Sequence, residues 1–372
     1  MRIAILGTRG IPANYGGFET FADELSRRLA ARGHEVTVYC RAHHTDPART
    51  RLGDVHLVVL PTVRTKYLDT IVHALRSALH AARRRYDAVL FCNAITASVC
   101  WIPRLSGARV LLNVDGLERN RRKWSAVGRA AYAISERLST VFPDAVVTDA
   151  EVIRRYYAET FGIDPLVIPY GGDLEPPRGT AALERLGLRP GEYFLYVSRL
   201  EPENNALAVV RAYAAVKGVF PLVLVGDAPY AADYIASVRA AADPRVLFPG
   251  AIYGEGYREL LFHARAYVQA TEVGGTHPAL VEAMGAGRIV AYHDSPENRE
   301  VCGDAGLPFD ARRPETLSRI LDSLVDDPGA AAVFPERAKA RVRERYRWEA
   351  VTDAYEKALS GDAVGGPSPR SG

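Results

Sequence analysis

Apolar residues in this chain fall into short unbroken runs, separated by stretches where they recur every three or four positions. The runs read as buried strands and the spaced stretches as amphipathic helices packed on them. RIAILG (2–7) predicts a buried strand. The glycine-rich loop TRGIPANYGGFET follows, then a helix from about Phe18 to Arg32, stopped by Gly33, and the strand EVTVYC. Strand, glycine loop, helix, strand is the opening of a doubly wound parallel sheet. Further strands are expected at 55–61, 87–92, 109–116, 145–150 and 165–169. In such sheets ligands lie at the carboxyl ends of the strands, so the loops at 8–17, 93–96, 115–123 and 149–151 should share one rim.

IPYGGDLEPPRGT (168–180) interrupts the pattern with proline and glycine and reads as a linker. A second α/β series follows: YFLYVSR, a helix over about 205–217, PLVLVGD, RVLFPGAI, AYVQAT and IVAYHD, with helices between them. We therefore expect a Rossmann-like domain over 1–170, a second over 171–345, a C-terminal helix over 346–360 that can pack back on the first domain, and a disordered tail at 361–372. Two such halves, each with a ligand rim, imply a central cleft. A chain of 372 residues fits two domains of roughly 170–190 residues better than one core.

No apolar run approaches the roughly 20 residues that span a bilayer. The start, MRIAILGTRG, has no leader-like h-region, which points to the cytoplasm. Cys40, Cys92, Cys100 and Cys302 lack metal-ligand spacing and read as reduced core thiols. The net charge of +3 hides a split: residues 1–170 carry 24 Lys+Arg against 16 Asp+Glu (+8), and the remainder carries 23 against 28 (−5). The first half is expected to face something anionic.

EVGGTHPALVEAMGAG (272–287) holds the densest candidate chemistry. Gly274 and Gly275 allow a sharp turn and close approach of a ligand. Thr276 is a candidate N-cap, and Pro278 suits the first helical turn. Free amides at such a helix start bind anions. Glu282 follows one turn later on the Pro278 side. The arrangement suits a nucleotide, with diphosphate on the amides and ribose on the carboxylate. It equally describes a plain glycine turn with a solvated Glu. The loop at 8–17 lacks the Gly-x-Gly-x-x-Gly spacing of a dinucleotide site, which counts against NAD.

The paired sheets, the IPYGGD linker, SRLEPENN and VEAMGAG resemble the retaining family-4 GT-B glycosyltransferases. ILGTRGIPANYGGFETFADEL and NVDGLERNRRKW resemble a bacterial subgroup that includes capsule and cell-wall rhamnosyltransferases. The resemblance spans about residues 2–358. It implies transfer from a nucleotide-diphosphate sugar held by the C-terminal domain to an acceptor held by the N-terminal one, with no metal cofactor. Glu282 matches the second Glu of the family's Glu-x7-Glu motif, and the first falls on Gly274, with Glu272 two residues early. Arg199 matches the family's diphosphate-binding Arg, and Asn204 stands where a Lys is usual.

The assignments that follow are catalytic roles for Arg199, Glu282 and Asp115. Donor contacts fall to Gly16, Gly17, Arg199, Asn204, Glu272, Gly274, Gly275, Thr276, His277 and Glu282, and acceptor contacts to Glu19, Asp115 and Glu118. Several carry plainer alternatives. Arg199 could sit in a salt bridge, and Gly16 and Gly17 could form only a tight turn. Glu19 could serve the helix dipole. Asp115 could form an Asx turn, and it is not assigned as a nucleophile. His293 and Asp294 are weaker rim candidates, and Asn298, Arg299 and Glu300 read as a helix start.

RNRRKWSAVGR (119–129) carries five Lys+Arg and Trp124. It reads either as a solvated loop or as a contact with an anionic membrane, at about 1 kcal/mol per basic residue. No nucleic-acid recognition module is visible. The sequence thus points to a metal-independent hexosyltransferase at the inner face of the membrane, moving L-rhamnose from dTDP-rhamnose to a lipid-linked saccharide. A nucleotide-sugar epimerase and a non-catalytic binding subunit are the alternatives.

Overall fold

The computed structural model describes residues 1–65, 68–114, 116, 125–228, 230–327, 329 and 331–362. The chain divides into two compact units. One runs from the start to Tyr170 and includes the chain from Trp348 onward; the other runs from Gly171 to Arg347.

The first unit holds β1 (Arg2–Leu6), β2 (Glu35–Arg41), β3 (Arg51–Leu52), β4 (Val55–Leu60), β5 (Ala88–Cys92), β6 (Arg109–Asn113), β7 (Ala145–Thr148) and β8 (Leu166–Val167). Their order in the sheet is β3-β4-β2-β1-β5-β6-β7-β8. Every pairing is parallel except that of β3 with β4. The central strands are buried on both faces, which is why they read as continuous apolar runs. Because β1, β5, β6 and β7 are parallel neighbours, the loops that leave their carboxyl ends emerge along one edge. Gly7 makes the first of these turns possible: at φ +95° a Cβ would fall 2.2 Å from the Cys92 carbonyl oxygen.

The helix Trp348–Ser360 belongs to this unit. Its Tyr355 is fully buried, packs 5.1 Å from the Phe21 ring and accepts a hydrogen bond from Asn113 Nδ2 at 2.7 Å. Arg32 pairs with Asp353 at 2.8 Å and Glu356 at 2.6 Å, and also with Glu349.

The second unit holds β9 (Phe194–Val197), β10 (Leu222–Val225), β11 (Val246–Gly250), β12 (Ala266–Gln269), β13 (Ile289–His293) and β14 (Leu307–Phe309), all parallel, in the order β11-β10-β9-β12-β13-β14. Its core joins Phe194, Leu222, Leu224 and Val268 of the strands to Val209, Tyr213, Leu317 and Leu321 of the covering helices.

Two strands were not expected. Arg51–Leu52 turns back on β4 through Gly53, and Leu307–Phe309 extends the second sheet. Segments of two or three residues are too short to show a period. Most of the expected tail, 363–372, lies outside the described residues.

Candidate functional site

In the second unit the chemistry gathers beyond the carboxyl ends of β9 and β12, which are neighbours in the sheet. Arg199 follows β9. Its side chain is about a quarter exposed, and Nη2 lies 3.5 Å from Glu201 Oε2. Glu201 is buried and accepts a hydrogen bond from Tyr230 OH at 2.5 Å. The salt bridge anticipated as the plain alternative is therefore present. With about a quarter of the side chain exposed, part of the guanidinium stays open to solvent.

Asn204, expected to contact donor, is buried. Its Nδ2 donates to the Arg199 carbonyl at 2.7 Å, and its own carbonyl accepts from Tyr196 OH at 2.7 Å. It braces the loop that presents Arg199. The neighbouring Glu203 is fully buried, and its carbonyl accepts the Glu272 N–H at 3.0 Å. That bond ties the Arg199 loop to the 272–277 turn. Sequence reading missed Glu203, because nothing in Pro-Glu-Asn-Asn marks one acidic residue as interior.

After β12 the chain turns through Gly274 and Gly275 into the helix Pro278–Gly285. The N-cap is His277, not Thr276: His277 has extended backbone, its carbonyl accepts from Leu280 and Val281, and no side chain caps the helix. Thr276 is instead buried in the turn. A Cβ on Gly274 would lie 2.4 Å from His277 Cε1. The imidazole therefore occupies the space that a longer residue at 274 would need, where the resembling family carries its first Glu. Glu282 is buried, and its Oε2 accepts the Tyr257 hydroxyl at 2.5 Å. Burial and the Glu282 charge push the Tyr257 hydroxyl well above its ordinary pKa, so it stays a donor and fixes the carboxylate.

Glu272 is half-buried and lines a cavity of about 510 Å³ with His293, Asp294, Asp310 and Arg312. His293 Nδ1 accepts from the Ala311 N–H at 3.2 Å, and Asp294 is paired with Arg299 at 2.8 Å. Asn298 is fully buried and donates to the carbonyls of Thr271 and His293, both at 3.0 Å, joining the ends of β12 and β13. Ser295 caps that helix, its Oγ accepting from the Asn298 N–H.

In the first unit, Gly16 is the N-cap of the helix Gly17–Ala31 and makes no side-chain capping bond. Its backbone is extended, and a Cβ would meet only Glu19 Oε2 at 3.4 Å. The fold itself does not demand glycine at this position, which leaves close approach of a ligand as a reason for it. Glu19 is buried, and its Oε1 accepts the Arg9 N–H at 2.8 Å. That bond ties the glycine loop to the first turn of the helix. Asp115, Glu118 and the basic segment up to Trp124 lie outside the described residues. Ser125 caps the helix Ala126–Leu138 that follows.

The second of the two Rossmann-like α/β units thus joins a glycine turn leading into a helix, an oriented carboxylate and a rim arginine. Comparison with known proteins makes this specific. Residues 191–327 match the family "Glycosyl transferases group 1". Residues 1–173 match a family described as "Domain of unknown function (DUF1972)". The chain is 25% identical to D-inositol 3-phosphate glycosyltransferase of Kineococcus radiotolerans, over 99% of this chain and 98% of that one. Sucrose-phosphate synthase from Thermosynechococcus elongatus superposes with a TM-score of 0.79 at 20% identity, over 97% and 99% of the two chains. Anabaena HepE, solved with UDP-glucose, gives a TM-score of 0.78 at 17% identity, over 97% and 100%. The chain has the GT-B fold, its residues 191–327 match the group 1 glycosyl transferases, and it is a hexosyltransferase.

Proposed function

We propose that the protein is a retaining, metal-independent enzyme. It moves L-rhamnose from dTDP-rhamnose to a lipid-linked saccharide in surface polysaccharide synthesis. The observation that carries the donor half is the joined pair of loops in the second unit. Glu282 is aimed by Tyr257, and the Glu203–Glu272 bond fastens its turn to the loop that presents Arg199. In this reading Glu282 accepts ribose hydroxyls, and the 274–279 turn and Arg199 take the diphosphate. The arginine neutralises charge as the leaving group departs, a task worth about 3 kcal/mol, or 10²–10³ in rate. The leaving phosphate oxygen takes the acceptor's proton.

The rhamnosyl assignment rests on the N-terminal motif GTRGIPANYGGFET and on NVDGLERNRRKW. The relative named for inositol 3-phosphate gives the rival acceptor, a soluble phosphorylated polyol. A membrane-bound acceptor has separate support. The helix Ala126–Leu138, which follows the basic stretch, leaves Val127 80% and Ile134 61% exposed. Val141 just beyond it is exposed as well, with Arg129 and Arg137 alongside. Basic residues beside exposed apolar ones suit the interface of an anionic bilayer.

The test incubates the protein with a panel of nucleotide sugars, with and without bacterial lipid extract. The expected result is release of dTDP and a new glycolipid whose linkage keeps the donor's anomeric configuration, only when both dTDP-rhamnose and lipid are present. Conversion of donor without acceptor would make it an epimerase. Binding without turnover would make it a non-catalytic subunit.

A further inference from the structure

Arg9 had no role in the sequence reading. It follows β1 in the glycine loop, and its side chain is fixed from two sides. The guanidinium carbon lies 3.4 Å from the Tyr15 ring centroid, and Nη1 is 3.0 Å from His44 Nε2. Among the described residues no carboxylate comes within ion-pair distance of it. The nearby acids are engaged elsewhere: Glu19 Oε1 takes the Arg9 backbone N–H at 2.8 Å, and Asp69 Oδ2 takes Arg41 Nη1 at 2.6 Å. A half-buried guanidinium without a counter-ion is costly to maintain.

The neighbouring imidazoles add no negative charge and can add donors. His44 must present the Nε2 lone pair to Arg9, so its proton sits on Nδ1. Burial and the Arg9 charge hold its pKa down to about 4. The His43 ring lies 4.4 Å from that of His44, with Nε2 3.5 Å from Asp69 Oδ2. Burial lowers the His43 pKa, Asp69 opposes this, and Arg41, Arg64 and Arg9 reinforce it. At neutral pH a locked cation therefore faces neutral rings, with the exposed Arg64 close enough to bear on His43. A planar carboxylate would satisfy one fork of the guanidinium. A phosphoryl group, with three oxygens, can use the guanidinium and a second donor together.

We propose that Arg9, with His43 and His44 beside it, binds a phosphoryl group carried by the acceptor. This deepens the acceptor half of the function proposed above. It rests on that reading for the identity of the phosphate's bearer, and the binding itself can be tested without it.

The test follows the imidazole signals of the full chain, labelled at histidine and assigned with His43→Gln and His44→Gln, while inorganic pyrophosphate is added. Saturable shifts of both rings are expected in the wild type and in Arg199→Ala, which removes the donor-side arginine. Arg9→Gln should weaken that response at least tenfold, and Arg9→Lys should retain part of it. Unchanged circular dichroism would show that the variants fold. Acetate should bind more weakly than pyrophosphate. Farnesyl diphosphate and glucose 6-phosphate serve as the two source arms: stronger binding of the first assigns the group to a prenyl carrier, of the second to a soluble sugar phosphate, and either upholds the site. Rings that pyrophosphate leaves unmoved in the wild type, or an Arg9→Gln response equal to wild type, would overturn it. Loss of sugar transfer with the imidazole response intact would count against the enzymatic reading alone.

Discussion

Glu282 and Gly274 show how a side chain's surroundings, more than its type, set its use. The carboxylate of Glu282 is buried and accepts the Tyr257 hydroxyl. Tyr257→Phe removes a hydrogen bond to a charged group, worth about 1.5–3 kcal/mol. It should raise the donor KM more than it lowers kcat, as steady-state kinetics would show. Gly274 lies against the His277 ring. Gly274→Ala overpacks the turn and should lower stability by about 1–3 kcal/mol in denaturant unfolding, with His277→Ala restoring part of it. The type and spacing of Glu282 and Arg199 were legible in the sequence. The uses of Asn204, Glu203 and Glu19 were not: Asn204 turns back on the carbonyl of Arg199 in its own loop, and Glu203 and Glu19 depend on hydrogen-bond partners supplied by another segment. Arg9 went unremarked for a related reason: that no carboxylate among the described residues pairs with it becomes visible only when the surrounding acids have been placed.

At the scale of elements, the long strands were readable as apolar runs and the amphipathic helices as periodic ones. The short strands at 51–52 and 307–309 were not, since main-chain pairing creates them without a side-chain pattern. The N-cap moved one residue, from Thr276 to His277, because Thr276 is drawn into the interior of the turn. The C-terminal helix Trp348–Ser360 owes its position to buried Trp348 and Tyr355 and to the acidic face it turns toward Arg32 and His34. Hydrogen bonds first from His34 and then from Arg32 hold the Glu356 carboxyl below its ordinary value of 4.5. A carboxyl depressed in the folded state stabilises fully above its unfolded pKa, and the contribution is lost as pH falls through the lower folded value. Amide exchange in 348–360 should therefore quicken as pH falls below about 4.5, after correction for intrinsic rates, with Glu356→Gln largely removing that dependence. Because Glu356 is about a third exposed, solvent and salt should keep the effect modest.

For the whole molecule, the sequence conveyed two α/β units and the family they resemble, while the sugar, base and acceptor depend on pocket walls drawn from distant parts of the chain. A ligand that binds only the folded state raises apparent stability by about 2.7 kcal/mol at a hundredfold excess over Kd. dTDP-rhamnose should therefore shift the melting temperature more than NAD does. The most direct measurement is the rate of sugar transfer to lipid acceptor by wild type, Arg199→Ala and Glu282→Ala, each shown by circular dichroism to be folded. The account predicts that kcat/KM falls at least a hundredfold in both variants. Transfer at the wild-type rate in either variant would contradict the placement of the donor on these two loops.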